Sequence, residues 1–183
     1  MIYDEKTVSS EKIFDGKVIK LKVDRVELPD GAVGIREIVN HPGGVGIVAV
    51  DDNEDIYLVR QYRKPLEKVI YEIPAGKLDS GEPVEECGVR ELKEETGLVA
   101  DVFEYLGYIY PSPGFTDEIT HIYYANGLSQ GDDNLDEDEF LEVEKMPFKK
   151  AYDMVMNGDI NDAKSVFGIL KYDALMRRPT DGK

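Results

Sequence analysis

Basic residues are scarce in this chain. Lys and Arg number 22 against 38 Asp and Glu, which gives the 183 residues a formal net charge of −16 at pH 7. Nucleic acids and anionic membrane surfaces are bound by basic faces, because their phosphates repel acidic ones. The charge balance therefore argues against a nucleic-acid or membrane partner. A small diphosphate substrate would need a metal ion and local arginines to bind.

Cysteine is nearly absent as well, since Cys87 is the only one in the sequence. A single cysteine excludes an intramolecular disulfide, and the first ten residues are polar and mixed in charge, unlike a signal peptide. No apolar run approaches the length of about 20 residues that spans a membrane. We therefore expect a cytoplasmic protein. Because neither of the two histidines lies near it in sequence, Cys87 is predicted to be a packing residue rather than a nucleophile.

Residues 76–98 carry an ungapped pattern of fixed residue types. The segment reads GKLDSGEPVEECGVRELKEETGL and fits G-x5-E-x7-R-E-U-x-E-E-x-G-U at every fixed position, with U a bulky aliphatic residue. Pro83 suits the first turn of a helix, where its missing N–H is not needed. Gly97 can adopt the left-handed conformation that ends a helix. The pattern therefore predicts one short helix between these two residues.

Three glutamates of this helix, Glu91, Glu94 and Glu95, are spaced i, i+3, i+4 and are predicted to share one face. Val89 and Leu92 are predicted to point to the opposite side. Glutamate-rich helix faces are usually only solvated, but like charges this close are also stable when a cation neutralises them. Carboxylates suit hard ions, so the predicted cofactor is Mg2+, with Mn2+ as a substitute.

The pattern of residues 76–98 resembles the signature of the Nudix hydrolases. Short matches beside it resemble their ADP-ribose pyrophosphatase branch, namely RQYR at 60–63, YEIPAG at 71–76 and Pro113, 15 residues past the end of the pattern. The likeness extends from about residue 12 to residue 176. It implies an α/β (α+β) fold, a Nudix α/β/α sandwich with a mixed sheet, preceded by a small N-terminal antiparallel β-sheet.

The chain has the length for one main domain with a proper core, but not for two full-sized domains. Alternating apolar residues and Asp-Gly turn pairs predict the small antiparallel sheet over residues 12–39. The break at HPGG divides this sheet, residues 1–43, from the Nudix domain, residues 44–183. In the branch that the chain resembles, such a sheet exchanges with or packs on a second copy. The resemblance therefore implies a homodimer whose subunits share each active site.

Other elements of the main domain follow from apolar periodicity and turn residues. A further strand is predicted to follow the acidic loop that begins at Asp132, because Phe140, Leu141 and Val143 are apolar. The remaining strands are predicted at residues 45–50, 56–61, 102–110 and 120–125, and helices around 148–156 and 163–176.

The resemblance implies hydrolysis of the diphosphate of ADP-ribose to AMP and ribose 5-phosphate. By position, the family's metal ligands fall on Glu91, Glu95, the backbone carbonyl of Ala75 and a glutamate of the acidic loop, for which Glu139 is the best match. Glu94 is a further ligand or an orienting group.

The resemblance also assigns catalytic roles. Arg90 pairs with the carboxylates of the pattern and holds them in place. Glu137 is the second candidate for the role of Glu139 in the acidic loop. Whether such a loop acid is the general base or a metal ligand stays open, so the catalytic candidates are Glu139, Glu137, Glu94 and Arg90.

Substrate contacts are implied at four positions. Arg63 is placed near the diphosphate or the adenine, Ser112 and Glu118 near the terminal ribose, and Arg36 is a candidate for reaching across the dimer. A guanidinium fork matches phosphate oxygens well, so at least one arginine is expected here. The adenine could stack on one of three aromatic residues, each of which could equally belong to the core. These are Phe14, Tyr62 and Tyr110.

Two alternatives stay open. The flanking residues could select another nucleoside diphosphate derivative, such as a nucleotide sugar or a dinucleoside polyphosphate. A non-catalytic nucleotide-binding Nudix module is the second alternative, but it usually shows a broken pattern, and here the pattern is intact.

Overall fold

The structure is a computed structural model that describes residues 3–131 and 141–177. The chain divides into two compact units. One comprises Met1–Gly43 and Tyr110–Ile119, and the other comprises Gly44–Ile109 and Thr120–Lys183. Residues 110–119 therefore group with the N-terminal segment, although they were predicted to belong to the second domain.

The first unit contains an antiparallel sheet of three strands in the order β1-β2-β3. The strands are β1 (Lys6–Asp15), β2 (Lys20–Glu27) and β3 (Val33–Asn40). Gly31 lies in the turn between β2 and β3 with φ +83°, a conformation that glycine adopts without steric cost. The predicted small antiparallel sheet is confirmed, and it begins six residues earlier than expected.

The second unit is built on a mixed sheet of seven strands. These are β4 (Gly44–Val50), β5 (Asp55–Arg63), β6 (Lys68–Glu72), β7 (Ala75–Lys77), β8 (Leu98–Ile109), β9 (Thr120–Gln130) and β10 (Leu141–Pro147). The main order is β10-β5-β4-β9-β8, with β6 paired to β5 and β7 paired to β4. Only the β4–β9 pair is parallel among the described strands. The strands predicted from the sequence are confirmed, whereas β6 and β7 were not predicted.

Helices cover both faces of this sheet. They are α1 (Val84–Thr96), α2 (Phe148–Asn157) and α3 (Ala163–Tyr172). The central strand β4 is buried along its whole length and packs Val45, Ile47 and Ala49 towards α1. Val48 and Val50 pack towards α2 and α3 on the other face. A central strand buried on both faces reads as a continuous apolar run, and the predicted α/β/α sandwich is confirmed.

Helix α1 begins after Pro83 and ends at Gly97, whose φ is +71° and whose N–H donates to the carbonyl of Lys93. Both predicted ends are confirmed. Of the two apolar residues predicted to point away from the glutamates, Leu92 is buried under the helix, whereas Val89 is 47% exposed. Within residues 3–131 and 141–177, no helix combines the length and apolarity needed to cross a bilayer.

Candidate active site

Arg90 of α1 binds three carboxylates. Its Nε donates to Glu82 Oε1 at 2.9 Å, and its Nη1 donates to Glu91 Oε1 at 2.8 Å and to Glu94 Oε2 at 2.6 Å. These hydrogen bonds, that of Glu82 above all, raise the pKa of Arg90. The hydrogen bond from Arg90 in turn lowers the pKa of Glu82 to about 2. Arg90 therefore contacts the carboxylates that the resemblance assigned to it.

The two glutamates proposed as metal ligands are buried against β7. Glu95 is 3% exposed, and its Oε2 accepts a hydrogen bond from the backbone N–H of Ala75 at 2.8 Å. Glu91 is 8% exposed, and its carboxyl carbon lies 1.8 Å from the point where a Cβ on Gly76 would stand. Glycine at position 76 therefore leaves the space that the Glu91 carboxylate fills. The structure brings Glu91, Glu95 and Ala75 together at one point of the fold.

The donor set at this point fits a hard divalent cation. Glu91, Glu94 and Glu82 each form an ion pair with Arg90, and a divalent cation would supply further positive charge beside these carboxylates. Carboxylates and a backbone carbonyl are the oxygen ligands that Mg2+ and Mn2+ prefer. Across residues 3–131 and 141–177, no three acidic, histidine or cysteine side chains converge on a common metal position. The predicted loop residues Glu137 and Glu139 lie outside the described residues.

Arg63, predicted to contact the diphosphate or adenine, is bound to Glu72. Its Nε lies 3.0 Å and 3.1 Å from the two carboxylate oxygens, and Nη2 donates to Oε2 at 2.5 Å. Burial lowers the pKa of Arg63, but Glu72 and the nearby charge of Glu95 outweigh it, so the net shift is upward. Glu72 is 3% exposed, and its role is not apparent from the sequence.

The other substrate candidates lie in the first unit. Arg36 donates from Nε to Glu5 Oε2 at 2.9 Å, within its own chain. Glu118 lies 3.9 Å from His41 Nδ1, and the carbonyl of Ser112 accepts hydrogen bonds in the turn that follows it. The three candidates for adenine stacking are each about half exposed, so none belongs to the core. They are Phe14, Tyr62 and Tyr110.

Cys87 is buried under α1, where it contacts the apolar residues of β4. Burial raises the pKa of its thiol to about 12, so the thiolate is not populated near neutral pH. Its environment is that of a packing residue, as predicted.

Comparison with known families identifies the fold. A family model described as the NUDIX domain matches residues 40–167, more than two thirds of the chain. The chain belongs to the Nudix family. A second model, described as the nucleoside diphosphate sugar hydrolase N-terminal domain, matches residues 5–39 ahead of the Nudix domain.

Relatives and a solved structure agree with this membership. An ADP-ribose pyrophosphatase of Bacillus subtilis is 48% identical over 91% of both chains. A methanol dehydrogenase activator of Bacillus methanolicus is 46% identical over 92% of both chains. A crystal structure of an ADP compounds hydrolase matches with a TM-score of 0.85 over 97% of this chain and 96% of that chain, at 22% identity, and so shares the fold. The predicted Nudix membership is confirmed, and the Bacillus subtilis relative bears the name of the predicted branch.

The pair Arg63–Glu72 is expected to stabilise this Nudix domain. Glu72→Ala would leave Arg63 and Lys164, which lies 3.4 Å from Glu72, without this buried counter-charge. We expect a loss of about 2 to 4 kcal/mol in the free energy of unfolding, measured by urea titration at pH 7. The control Asp153→Ala removes an exposed partner of Lys149 on α2 and should cost less than about 1 kcal/mol. Equal stability of Glu72→Ala and the control would contradict the expectation.

The ion pair of Glu82 and Arg90 predicts a pH dependence of stability. The pKa of Glu82 is lowered in the folded state, from 4.5 to about 2. Its stabilising contribution is therefore complete above its unfolded pKa and is lost as the pH falls from about 4.5 towards 2. Glu82→Gln should lose less unfolding free energy than the wild type between pH 5 and pH 3 in urea titrations. The same loss in both proteins would show that the pair does not contribute.

Proposed function

We propose that this Nudix protein hydrolyses the diphosphate of ADP-ribose to AMP and ribose 5-phosphate and requires a divalent cation. The observation that carries the proposal is the packing of two buried glutamates, Glu91 and Glu95, against β7 beside Arg90. The Bacillus subtilis ADP-ribose pyrophosphatase, 48% identical over 91% of both chains, supports the choice of substrate. Mg2+ is the proposed cation, and Mn2+ is the proposed substitute.

The chemistry required is the attack of water on an anionic diphosphate, for which water alone is a poor nucleophile. A bound divalent cation would supply neutralisation of phosphate oxygens and a lower pKa of coordinated water. Glu91, Glu95 and the carbonyl of Ala75 would hold this cation. Arg90 fixes Glu91 and Glu94 by hydrogen bonds. Glu139, or Glu137 in its place, is proposed to complete the ligand set or to take the proton of the attacking water.

Four residues are proposed to bind the substrate. Arg63 is the candidate for the diphosphate or adenine, because its guanidinium is fixed by Glu72 while 39% of its side chain stays exposed. Ser112 and Glu118 are proposed to contact the terminal ribose. Arg36 is proposed to act across a dimer, where it would exchange its contact with Glu5 for a substrate group.

Product analysis tests the proposed function. The purified protein is incubated with ADP-ribose, ADP-glucose and diadenosine polyphosphates in parallel, each with Mg2+ and with EDTA. Formation of AMP and ribose 5-phosphate that requires Mg2+, with ADP-ribose preferred, is the expected result. Absence of turnover with every substrate would reject an enzymatic function and favour a nucleotide-binding module.

A nucleotide sugar is the second candidate substrate. It is favoured by the match of residues 5–39 to the nucleoside diphosphate sugar hydrolase N-terminal domain. The same assay separates the two candidates, because preference for ADP-glucose would keep the diphosphate chemistry and change the substrate.

A homodimer and a cytoplasmic location belong to the same proposal. The single, buried Cys87 suits a reducing compartment. Sedimentation velocity at micromolar concentration should give the mass of two chains, about twice 20.6 kDa. Full activity in a preparation that sediments only as a monomer would contradict a site shared between subunits.

A further inference from the structure

The amino-terminal end of α3 carries a polar network that the proposed reaction does not use. Asp162 caps this helix, because its Oδ2 accepts hydrogen bonds from Ser165 N–H at 3.0 Å and from Ser165 Oγ at 2.6 Å. Lys164 Nζ donates to the same oxygen at 3.1 Å. An N-cap alone needs only the first of these bonds. The additional bonds orient the side chains of Ser165 and Lys164 within the same turn.

Ser165 connects this network to the backbone of Ile73, which lies ahead of β7. The residue is 0% exposed, and its Oγ accepts a hydrogen bond from the N–H of Ile73 at 2.9 Å. A hydroxyl carries one proton, so Ser165 can accept from Ile73 while it donates to Asp162. Asp162 therefore sets the orientation in which the Ser165 oxygen faces Ile73.

The side chain of Lys164 contacts Glu72, the residue that precedes Ile73. Its Nζ lies 3.4 Å from Glu72 Oε1, and its side chain is 14% exposed. Glu72 is also held by Arg63. Residues 72 and 73 are thus attached to α3 once through a side chain and once through a backbone N–H.

These two residues lead directly into the proposed metal site. The carbonyl of Pro74 accepts a hydrogen bond from Ile47 of β4 at 2.8 Å, and the N–H of Ala75 donates to Glu95 at 2.8 Å. Only Pro74 separates Ile73 from Ala75, whose carbonyl is a proposed ligand. A shift of the backbone at Ile73 would therefore move the carbonyl of Ala75 and also its N–H, which binds Glu95.

Helix α3 packs closely against β4 and Ile73. A Cβ at Gly168 would lie 2.7 Å from Val48 of β4 and 3.3 Å from Ile73, so glycine allows the helix to approach both. Ile169 is fully buried in the core beside it. Close packing leaves α3 little freedom to move relative to β4.

We propose that Ser165, Lys164 and Asp162 are positioning residues that hold the Glu72–Ala75 segment in the geometry that a divalent cation requires. The inference rests on the proposed function for the identity of the site, but its consequence is metal affinity rather than turnover. Residues behind metal ligands typically change affinity or activity 10- to 100-fold when they are replaced. Loss of the Ser165–Ile73 hydrogen bond should therefore weaken metal binding, with little change of KM for the substrate at saturating metal.

The test is a titration with Mn2+ alone, followed through the electron paramagnetic resonance signal of the free ion. Ser165→Ala should raise the dissociation constant about 10-fold, and Ser165→Thr, which keeps the hydroxyl, should stay within about threefold of the wild type. Ile160→Val removes one methylene of a buried core residue and serves as the control for general loss of stability. It should bind Mn2+ like the wild type.

Wild-type affinity in a folded Ser165→Ala variant would overturn the proposal, as would an equal loss in Ile160→Val or absence of Mn2+ binding by the wild type. Should Ser165→Ala not fold, Lys164→Met decides in its place, because it removes the contact with Glu72 and keeps the Ser165 hydroxyl. It should weaken Mn2+ binding, and unchanged binding would overturn the proposal. A wild type that binds Mn2+ but does not cleave ADP-ribose would refute the proposed function alone.

Discussion

Glu95→Gln is expected to lower kcat for ADP-ribose at least 100-fold while the protein stays folded. Glutamine has nearly the same shape, and its amide oxygen can still accept the hydrogen bond from Ala75 that Glu95 accepts now. What the substitution removes is the negative charge that would hold the cation beside β7. A 100-fold loss corresponds to about 2.7 kcal/mol of transition-state stabilisation, a reasonable share for one metal ligand.

The measurement is steady-state hydrolysis at saturating Mg2+, together with a thermal unfolding curve for each protein. Glu86→Gln is the matched control, because Glu86 is an exposed glutamate of the same helix α1 and should keep wild-type kcat. Full activity of Glu95→Gln would show that Glu95 is not a metal ligand. A loss of the same size in Glu86→Gln would point to the overall charge of the helix instead.

Much of the site was predictable because its parts are local in sequence. The helical spacing of Glu91, Glu94 and Glu95 follows from 3.6 residues per turn, and Pro83 and Gly97 mark the helix ends through their own backbone preferences. These features need no knowledge of the rest of the chain. The same holds for the apolar alternation that predicted most of the strands.

The parts that were missed depend on contacts between distant segments. Strand β7 has only three residues, Ala75–Lys77, and forms by pairing with β4. A segment this short has no apolar periodicity from which a strand could be predicted. Glu72 looks like an ordinary acid until β6 brings it to Arg63. Ser165 lies 92 residues from Ile73, the backbone group that it binds. The one local signal was Asp162, a good N-cap residue three positions before Ser165.

Val89 shows that the apolar side of a helix is not always the buried one. Sequence spacing placed it opposite the glutamates, and a face opposite charged residues is usually the buried one. In the structure α1 has Leu92 buried beneath it, while Glu91 and Glu95 are also buried because they face β7. Burial of carboxylates on a surface helix costs free energy unless they are paired or bind a cation. The buried side of α1 is therefore the side that carries the proposed metal ligands, and Val89 is exposed.

Gly76→Ala is expected to lower kcat 10- to 100-fold with little change in stability. The φ angle of Gly76 is not positive, so the backbone accepts alanine, but the new Cβ would stand 1.8 Å from the carboxyl carbon of Glu91. The carboxylate must then leave its position against β7. Hydrolysis rates and Mn2+ affinity should fall together, while the unfolding free energy should change by less than about 1 kcal/mol.

A double-mutant cycle shows whether the methyl group acts through Glu91. Glu91→Gln alone should also lower kcat strongly, since it removes a proposed ligand. If Gly76→Ala acts only by displacing that ligand, the double variant should be no worse than Glu91→Gln, because the same interaction cannot be lost twice. Losses that multiply would assign Gly76 a separate role, for example in the placement of the Ala75 carbonyl. Wild-type activity in Gly76→Ala would show that the Glu91 carboxylate is not needed where the structure places it.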